Sequence, residues 1–340
     1  MITANRHRAQ PASDAVRPSW QQLWRDAVTD PAELLALVGL ADRAADLLPA
    51  RDTGFPLRVP RGFVARMRHG DPNDPLLRQV LPLAAELDAA PGFALDAVGD
   101  MAARSAHGVL QKYHGRALLI ATGSCAINCR YCFRRHFPYA DETAAANRWQ
   151  AAIAALAADP GVDEAILSGG DPLSLSNAKL AEFLTAVAGM PHIRRVRLHT
   201  RLPVVLPERI DAGLADLLAA LPQRVAVVLH ANHANELDAG VADACRRLRD
   251  AGATLLNQSV LLAGINDDEA ALAALSERLF DCGVLPYYLH QLDRVQGAAH
   301  FEVDDTVALA LVEALRNRLP GYLVPKLVRE IAGAPAKTPL

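Results

Sequence analysis

The chain has 340 residues and a formal net charge of -3 at pH 7, and 51% of its residues are hydrophobic. This length is sufficient for one large core and a smaller appendage. The charge is nearly balanced and no long block of like charges occurs, whereas nucleic-acid affinity needs clustered Lys and Arg, so we expect no nucleic-acid partner.

Residues 1–17 are polar and contain no apolar leader segment, and no later apolar run has the length of a membrane span. We therefore expect a cytoplasmic protein with no membrane partner. Of the five cysteines, Cys245 and Cys282 stand alone in apolar segments and are expected to be small buried side chains.

The first hundred residues have the pattern of short helices joined by a connector. Ser19 and Asp30 each stand where an N-cap residue is expected, and Pro31 suits the first turn of the second helix. A Pro- and Gly-rich passage at residues 55–75 indicates an irregular connector, followed by short helices near residues 76–87.

From about residue 100 the pattern changes to apolar runs that alternate with stretches of helical period. Such alternation predicts a parallel sheet with right-handed crossovers, here a partial (β/α)6 barrel of the α/β class with its active site at the carboxyl ends of the strands. We therefore predict an N-terminal helical region and connector at residues 1–100 and a partial barrel with a C-terminal tail at residues 101–340. The predicted strands are residues 117–121, 164–167, 196–199, 225–229, 255–262 and 284–289.

Three cysteines follow the first predicted strand in the spacing C-x-x-x-C-x-x-C: Cys125, Cys129 and Cys132. Three thiolates can hold three corners of an iron-sulfur cube, and the remaining iron then keeps an open coordination position because the segment has no fourth cysteine. The alternative is a structural zinc site with a fourth ligand such as His136. The position of the triplet, on a loop within a long alternation of strands and helices, favours the cluster.

The second predicted strand ends in Gly169, Gly170 and Asp171. Two glycines let the backbone approach a ligand closely, so main-chain groups can bind a small zwitterion. An ordinary turn with Asp171 as the N-cap explains the same residues. His230 and Gln258 lie at later strand ends on the predicted catalytic face, where a satisfied turn residue is the plainer explanation for each.

These features resemble the radical S-adenosylmethionine (SAM) superfamily. In that superfamily the cysteine triplet holds a four-iron, four-sulfur ([4Fe-4S]) cluster, and the amino and carboxylate groups of SAM fill the open iron. The resemblance implies contacts of Gly169, Gly170 and Asp171 with the methionyl amino group. His230 and Gln258 become further candidates for cofactor binding.

Two further segments narrow the resemblance to the lysine 2,3-aminomutase family: residues 201–207, Arg-Leu-Pro-Val-Val-Leu-Pro, and residues 286–293, Pro-Tyr-Tyr-Leu-His-Gln-Leu-Asp. The match runs from about residue 108 to the C-terminus. Within the family the chain most resembles the shorter members that make β-lysine for modification of elongation factor P. Two features support this subgroup, namely the helical start with Trp20 and the lack of the cysteine-bearing C-terminal extension found in clostridial-type members.

The family also needs pyridoxal 5′-phosphate (PLP), which a lysine holds as a Schiff base because its amine condenses with the aldehyde and later exchanges with the substrate's amine. Residues 332–339 resemble the family's Gly-rich lysine segment, which implies that Lys337 is the catalytic lysine. The glycine run is reduced here to Gly333, and a lysine so near a chain end is ordinarily solvated. The family's basic segment for the cofactor phosphate is matched by Lys112, in place of the usual Arg, and by Tyr113 and Arg116.

The resemblance also indicates the substrate. Arg134 stands at the family's position for binding the substrate carboxylate, which a planar guanidinium matches bidentately. We interpret Arg135 as a surface or cluster-screening charge. Asp293 and Glu330 match positions that hold the distal ammonium of lysine, the second being usually Asp, and an acidic pair there would repel a second carboxylate.

The activity implied is the isomerisation of L-α-lysine to β-lysine. A radical derived from SAM would remove hydrogen from C3 of the PLP-bound lysine, and the amino group would migrate from C2 to C3. The resemblance further implies an electron donor such as flavodoxin, and an indirect link through β-lysine to a lysyl-tRNA-synthetase-like ligase and elongation factor P.

Three alternatives remain open on the sequence. The first is a radical SAM enzyme without PLP. The second is a non-catalytic zinc-binding interaction protein. The third is the same chemistry on free lysine, or on another amino acid, for secondary metabolism.

Overall fold

A ten-stranded sheet runs through the chain in sequence order, so that each strand pairs with the next. The computed structural model describes residues 18–340 except the side chains of residues 147 and 148, and the prediction about a leader in residues 1–17 lies outside the described residues. The strands are β1 Arg104–Ala106, β2 Val109–Leu110, β3 Arg116–Thr122, β4 Glu164–Gly169, β5 Arg195–Thr200, β6 Arg224–Leu229, β7 Thr254–Val260, β8 Leu285–His290, β9 Lys326–Arg329 and β10 Thr338–Pro339.

Strands β3 to β9 form a parallel run, and antiparallel pairs flank it at both edges. Within residues 18–340, β1 and β10 are not paired with each other, so the barrel is open. All six predicted strands are present as β3 to β8, which confirms the partial barrel. The seventh parallel strand, β9, was not predicted, because its four residues have charged side chains at both ends and form no apolar run.

Helices connect the parallel strands and also build the N-terminal region. The α-helices of the described chain are α1 Trp20–Arg25, α2 Pro31–Leu37, α3 Ala44–Leu47, α4 Arg61–Val64, α5 Pro75–Arg78, α6 Gln150–Ala158, α7 Asn177–Ala188, α8 Leu202–Val205, α9 Ala212–Ala219, α10 Ala239–Asp250, α11 Glu269–Asp281 and α12 Asp305–Arg318. The expected N-caps are present, since Ser19 forms a capping box with Gln22 and the Asp30 carboxylate accepts from the Ala32 amide. Among residues 18–340, no helix combines the length and the apolar character that a membrane crossing requires.

The N-terminal region packs on the barrel. Leu34, Phe63 and Leu76 are fully buried in the same hydrophobic cluster as Leu198 and Leu229 of the sheet. Because burial of such side chains is the main favourable contribution to folding, this contact fixes the region against the barrel. The division at residue 100 stays a prediction.

Candidate active site

A cavity of about 740 Å³ lies at the carboxyl ends of the parallel strands. The cysteine triplet and Lys337 face this one space, although they lie more than two hundred residues apart in the sequence. The individual roles of the lining residues remain predictions. Every residue predicted to bind the cluster, the cofactors or the substrate lines the cavity: Lys112, Tyr113, Arg116, Cys125, Cys129, Cys132, Arg134, Gly169, Gly170, Asp171, His230, Gln258, Asp293, Glu330 and Lys337.

In the part of the chain that the structure describes, no three Cys, His, Asp or Glu side chains are arranged to hold a single metal ion, so the cysteine loop suits a cluster better than one zinc ion. Each thiolate of a cube-shaped cluster binds a different iron, so the sulfurs need not converge on one point, as the ligands of tetrahedral zinc must. Burial raises the pKa of Cys132 to about 11, so iron must displace the proton when this thiol binds. His136 is exposed and its Nε2 lies 3.2 Å from the carbonyl oxygen of Gln296, so the structure offers no support for it as a fourth zinc ligand.

A buried ion cluster holds this loop against the N-terminal region. Arg130 is 0% exposed and binds Glu86 through two hydrogen bonds of 2.8 and 2.5 Å. Arg135 donates to the same carboxylate at 2.8 Å, and the Phe55 ring lies against both guanidiniums. The interpretation of Arg135 as a surface charge is wrong, because its side chain is only 2% exposed.

Glu86→Ala is expected to lower the free energy of unfolding by about 3–5 kcal/mol, because it leaves two buried guanidiniums without their counter-ion. Urea denaturation followed by circular dichroism measures the change. Glu33→Ala removes the partner of Arg61 in an exposed pair and is the matched control, with an expected loss of about 0–1 kcal/mol. Equal losses in the two variants would contradict the assignment of Glu86 as a buried brace.

The Gly-Gly-Asp segment packs against the cysteine loop. Gly169 has φ +114°, and a Cβ on Gly170 would lie 2.5 Å from the carbonyl oxygen of Ser124. The backbone at Gly170 therefore approaches the cysteine loop closely, and the predicted approach to a ligand stays a prediction. A larger side chain at Gly170 would push the two loops apart, and one at Gly169 would meet the backbone of β3, with its Cβ 2.7 Å from the carbonyl oxygen of Thr122.

Asp171 caps the turn that follows the second parallel strand of the run. Its carboxylate accepts hydrogen bonds from the Leu173 amide at 3.0 Å, the Arg201 amide at 2.7 Å and the Thr200 hydroxyl at 2.7 Å. Burial raises the pKa of Asp171 to about 6, although these hydrogen bonds act in the opposite direction. The cap is therefore observed, and a contact with a methionyl amino group stays a prediction.

Three histidines and one glutamine each present a buried Nε2 atom that has no hydrogen-bond partner among the described residues: His199, His230, His290 and Gln258. All four residues line the cavity. Burial lowers the pKa of the three imidazoles, to about 4 for His230, so these rings are neutral and can donate or accept. Unsatisfied buried polar atoms are costly, so these nitrogens fit polar cofactors in the cavity.

His199 and His290 were missed in the sequence. His199 is the last residue of one predicted strand, and His290 lies one residue beyond the end of another. Both positions are at the face where an active site is expected, and this placement could have identified them from the sequence.

The tail lysine is held inside the site. Lys337 Nζ donates to Glu330 Oε2 at 2.9 Å, and the Tyr113 hydroxyl donates to the other oxygen of the same carboxylate at 2.6 Å. Thr338 pairs with Arg329 because the last residues form β10 against β9. The Lys337 side chain is 22% exposed, so the ordinary expectation of a solvated terminal lysine does not apply here.

Asp100, also missed in the sequence, connects two of the predicted cations. Its carboxylate lies 2.7 Å from Lys112 Nζ and accepts from Arg134 Nε at 2.7 Å. Burial acts to raise the pKa of Asp100, but the charges of Arg134 and Lys112 outweigh it and the net shift is downward. Arg134 Nη1 donates to Ser168 at 3.0 Å, so Asp100 and Ser168 orient a guanidinium that faces the cavity.

An open α/β barrel with the C-x-x-x-C-x-x-C loop at its catalytic face defines a radical SAM protein, and the family model for the Radical SAM superfamily matches residues 119–275. Membership of this superfamily implies a [4Fe-4S] cluster and SAM. The chain belongs to the L-lysine 2,3-aminomutase family. It is 50% identical over 326 residues to L-lysine 2,3-aminomutase of Escherichia coli (strain K12), and the aligned residues cover 95% of each chain.

A second relative, L-lysine 2,3-aminomutase of Haemophilus influenzae, is 44% identical over 320 residues, with 94% of this chain and 95% of the relative covered. Among solved structures, a radical SAM methyltransferase from Sphaerobacter thermophilus superposes with a TM-score of 0.45 at 21% identity, covering 65% of this chain and 68% of the other.

Proposed function

We propose that the chain is an L-lysine 2,3-aminomutase, an isomerase that converts L-α-lysine to β-lysine and uses PLP in addition to the cluster and SAM. The observation that carries this proposal is the common cavity of the cysteine triplet, Lys337 and the acidic pair Asp293 and Glu330. The printed names of the relatives support lysine as the substrate.

The cofactors, when bound, supply one-electron chemistry and a conjugated ring that delocalises an unpaired electron, whereas the protein binds and orients. The three cysteines hold the cluster. The glycine segment, Asp171, His230 and Gln258 bind SAM. Lys337 provides the amine for PLP, and Lys112, Tyr113 and Arg116 bind its phosphate.

The charges of the cavity match a diamino acid. Arg134 binds the α-carboxylate through its positive charge. Asp100 and Ser168 accept hydrogen bonds from its Nε and Nη1 and thereby fix the plane of the guanidinium. At the other end, Asp293 and Glu330 bind the distal ammonium. The carboxylate of Glu330 is held between Tyr113 and Lys337 in this structure, so it is already oriented toward the cavity.

The test is anaerobic incubation of reconstituted protein with lysine, SAM and dithionite, with β-lysine measured by mass spectrometry. We expect β-lysine only when SAM, reductant and PLP are all present, and no product from glutamate. Turnover of SAM to 5′-deoxyadenosine without β-lysine would indicate a different radical SAM reaction and contradict the proposal.

The acidity of Asp293 leads to a pH dependence. Burial raises the pKa of Asp293 to about 7, with Lys337 opposing the rise and Glu330 adding to it. Below that pH the carboxyl is neutral and cannot pair with the ammonium of lysine, so kcat/KM for lysine is expected to fall as the pH drops through about 7.

Asp293→Asn should remove this limb of the pH profile and lower kcat/KM at pH 8 by about 30-fold, the effect of losing one partner of a buried charge pair. Asp304→Asn, at an exposed N-cap, is the control and should retain the limb. An unchanged limb in Asp293→Asn would show that another group titrates.

We further propose that the β-lysine made by this chain serves elongation factor P in the cytoplasm, with a flavodoxin-like electron donor and a lysyl-tRNA-synthetase-like ligase. The subgroup features at the N-terminus support this role. Elongation factor P from cells that lack this gene should lose the mass of one β-lysyl group and regain it with the wild-type gene. Unchanged mass would instead favour secondary metabolism.

A further inference from the structure

Arg201 contacts a sulfur of the cysteine triplet. It follows β5 directly, is 6% exposed, and its Nη1 lies 2.6 Å from Sγ of Cys129. The same nitrogen donates to the hydroxyl of Tyr131 at 2.7 Å, within the cysteine motif itself. One guanidinium nitrogen therefore binds the cysteine loop at two points.

The other side of the guanidinium is fixed by buried acceptors. Nη2 donates to Gln79 Oε1 at 2.6 Å and to Glu236 Oε2 at 2.8 Å. The backbone amide of Arg201 donates to Asp171, as described above. Three separate segments thus set the position of this side chain.

The guanidinium of Arg201 carries a permanent positive charge, because an arginine side chain is not deprotonated in proteins. Glu236 is itself fully buried and accepts from the amides of Asn232 and His233, so one anion partly balances the cation. A fixed positive charge lies next to a sulfur that would bind iron.

We infer that Arg201 is a positioning residue that orients the Cys129 sulfur and raises the reduction potential of the bound cluster, and that Glu236 limits this rise. The inference rests on the proposed cluster-dependent function. Reduction adds one electron from an external reductant to the oxidised cluster, and a neighbouring cation favours the state with the added negative charge.

The experiment is a redox titration of the anaerobically reconstituted protein with dithionite, followed by the electron paramagnetic resonance signal of the reduced cluster. In Arg201→Gln the midpoint should shift to more negative potential, and the ratio of reduced to oxidised cluster at a fixed potential should fall roughly tenfold or more, as removal of a charge a few ångströms away predicts. Glu236→Gln should shift the midpoint of the cluster to more positive potential. Arg201→Lys should lie close to wild type, because the charge is retained.

Arg224→Gln is the matched control, since Arg224 is exposed at the opposite end of the sheet and should leave the midpoint unchanged. If wild-type protein takes up no iron and sulfide, the proposed function fails. If the cluster assembles in every variant with one common midpoint, the inference about Arg201 is overturned while the proposed function stands. If Arg201→Gln retains no iron, the test passes to Glu236→Gln. A more positive midpoint potential in that variant supports the inference, and an unchanged midpoint potential overturns it.

Discussion

Lys337→Ala is expected to abolish β-lysine formation, with a loss of about 10³-fold or more, because it removes the amine that we propose forms the Schiff base with PLP. Among the described residues, Lys337 is held in the cavity by Glu330 and by the pairing of β10 with β9. We also expect loss of the visible absorbance of bound PLP and of borohydride-dependent labelling of the chain. Absorbance spectra and peptide mapping after borohydride treatment measure these changes.

Two control variants distinguish loss of the Schiff-base amine from loss of the positive charge and from a general effect of lysine substitution on folding. Lys337→Arg keeps the cation beside Glu330 but cannot condense with an aldehyde, so it should be as inactive as the alanine variant. Lys326→Ala changes an exposed lysine on the neighbouring strand β9 and should behave as wild type. Labelling of a different lysine, or turnover by the alanine variant, would refute the assignment. Turnover without bound PLP would favour the alternative of a radical SAM enzyme that lacks this cofactor.

Substitution of Cys125, Cys129 or Cys132 by alanine is expected to eliminate the cluster and, with it, all SAM-dependent turnover. Three thiolates are the minimum that holds a cube with one open iron, and the removal of any one leaves a second iron without a protein ligand. Reconstituted wild type should contain about four iron and four sulfide per chain, and each variant little of either. Metal and sulfide analysis with electron paramagnetic resonance measures the loss.

Cys282→Ala is the control because Cys282 is buried, as predicted for both isolated cysteines, and does not line the cavity. It should retain iron, sulfide and activity. One zinc per wild-type chain, with no sulfide, would instead support the interpretation as a zinc-binding protein. Iron uptake by the triple alanine variant would contradict the assignment of the cysteines.

The sequence by itself determined the class of fold and the chemical components of the site. Apolar runs that alternate with helical stretches can be satisfied by few architectures, which is why β3 to β8 were predictable. The cysteine spacing and the residues that follow each strand then had to meet at one edge, because parallel strands end at the same face. Arg134, Asp293 and Lys337 came only from the resemblance to a family.

Only the tertiary structure decided which side chains meet across the chain. The contact of Arg201 with Cys129 and the connection of Lys112 to Arg134 through Asp100 join residues far apart in the sequence, where no periodic pattern constrains them. The position of Lys337 likewise depends on a two-residue strand that forms only because β9 offers its edge. Local sequence patterns report propensity and burial, whereas pairwise polar contacts are set when the fold brings distant segments to the same cavity.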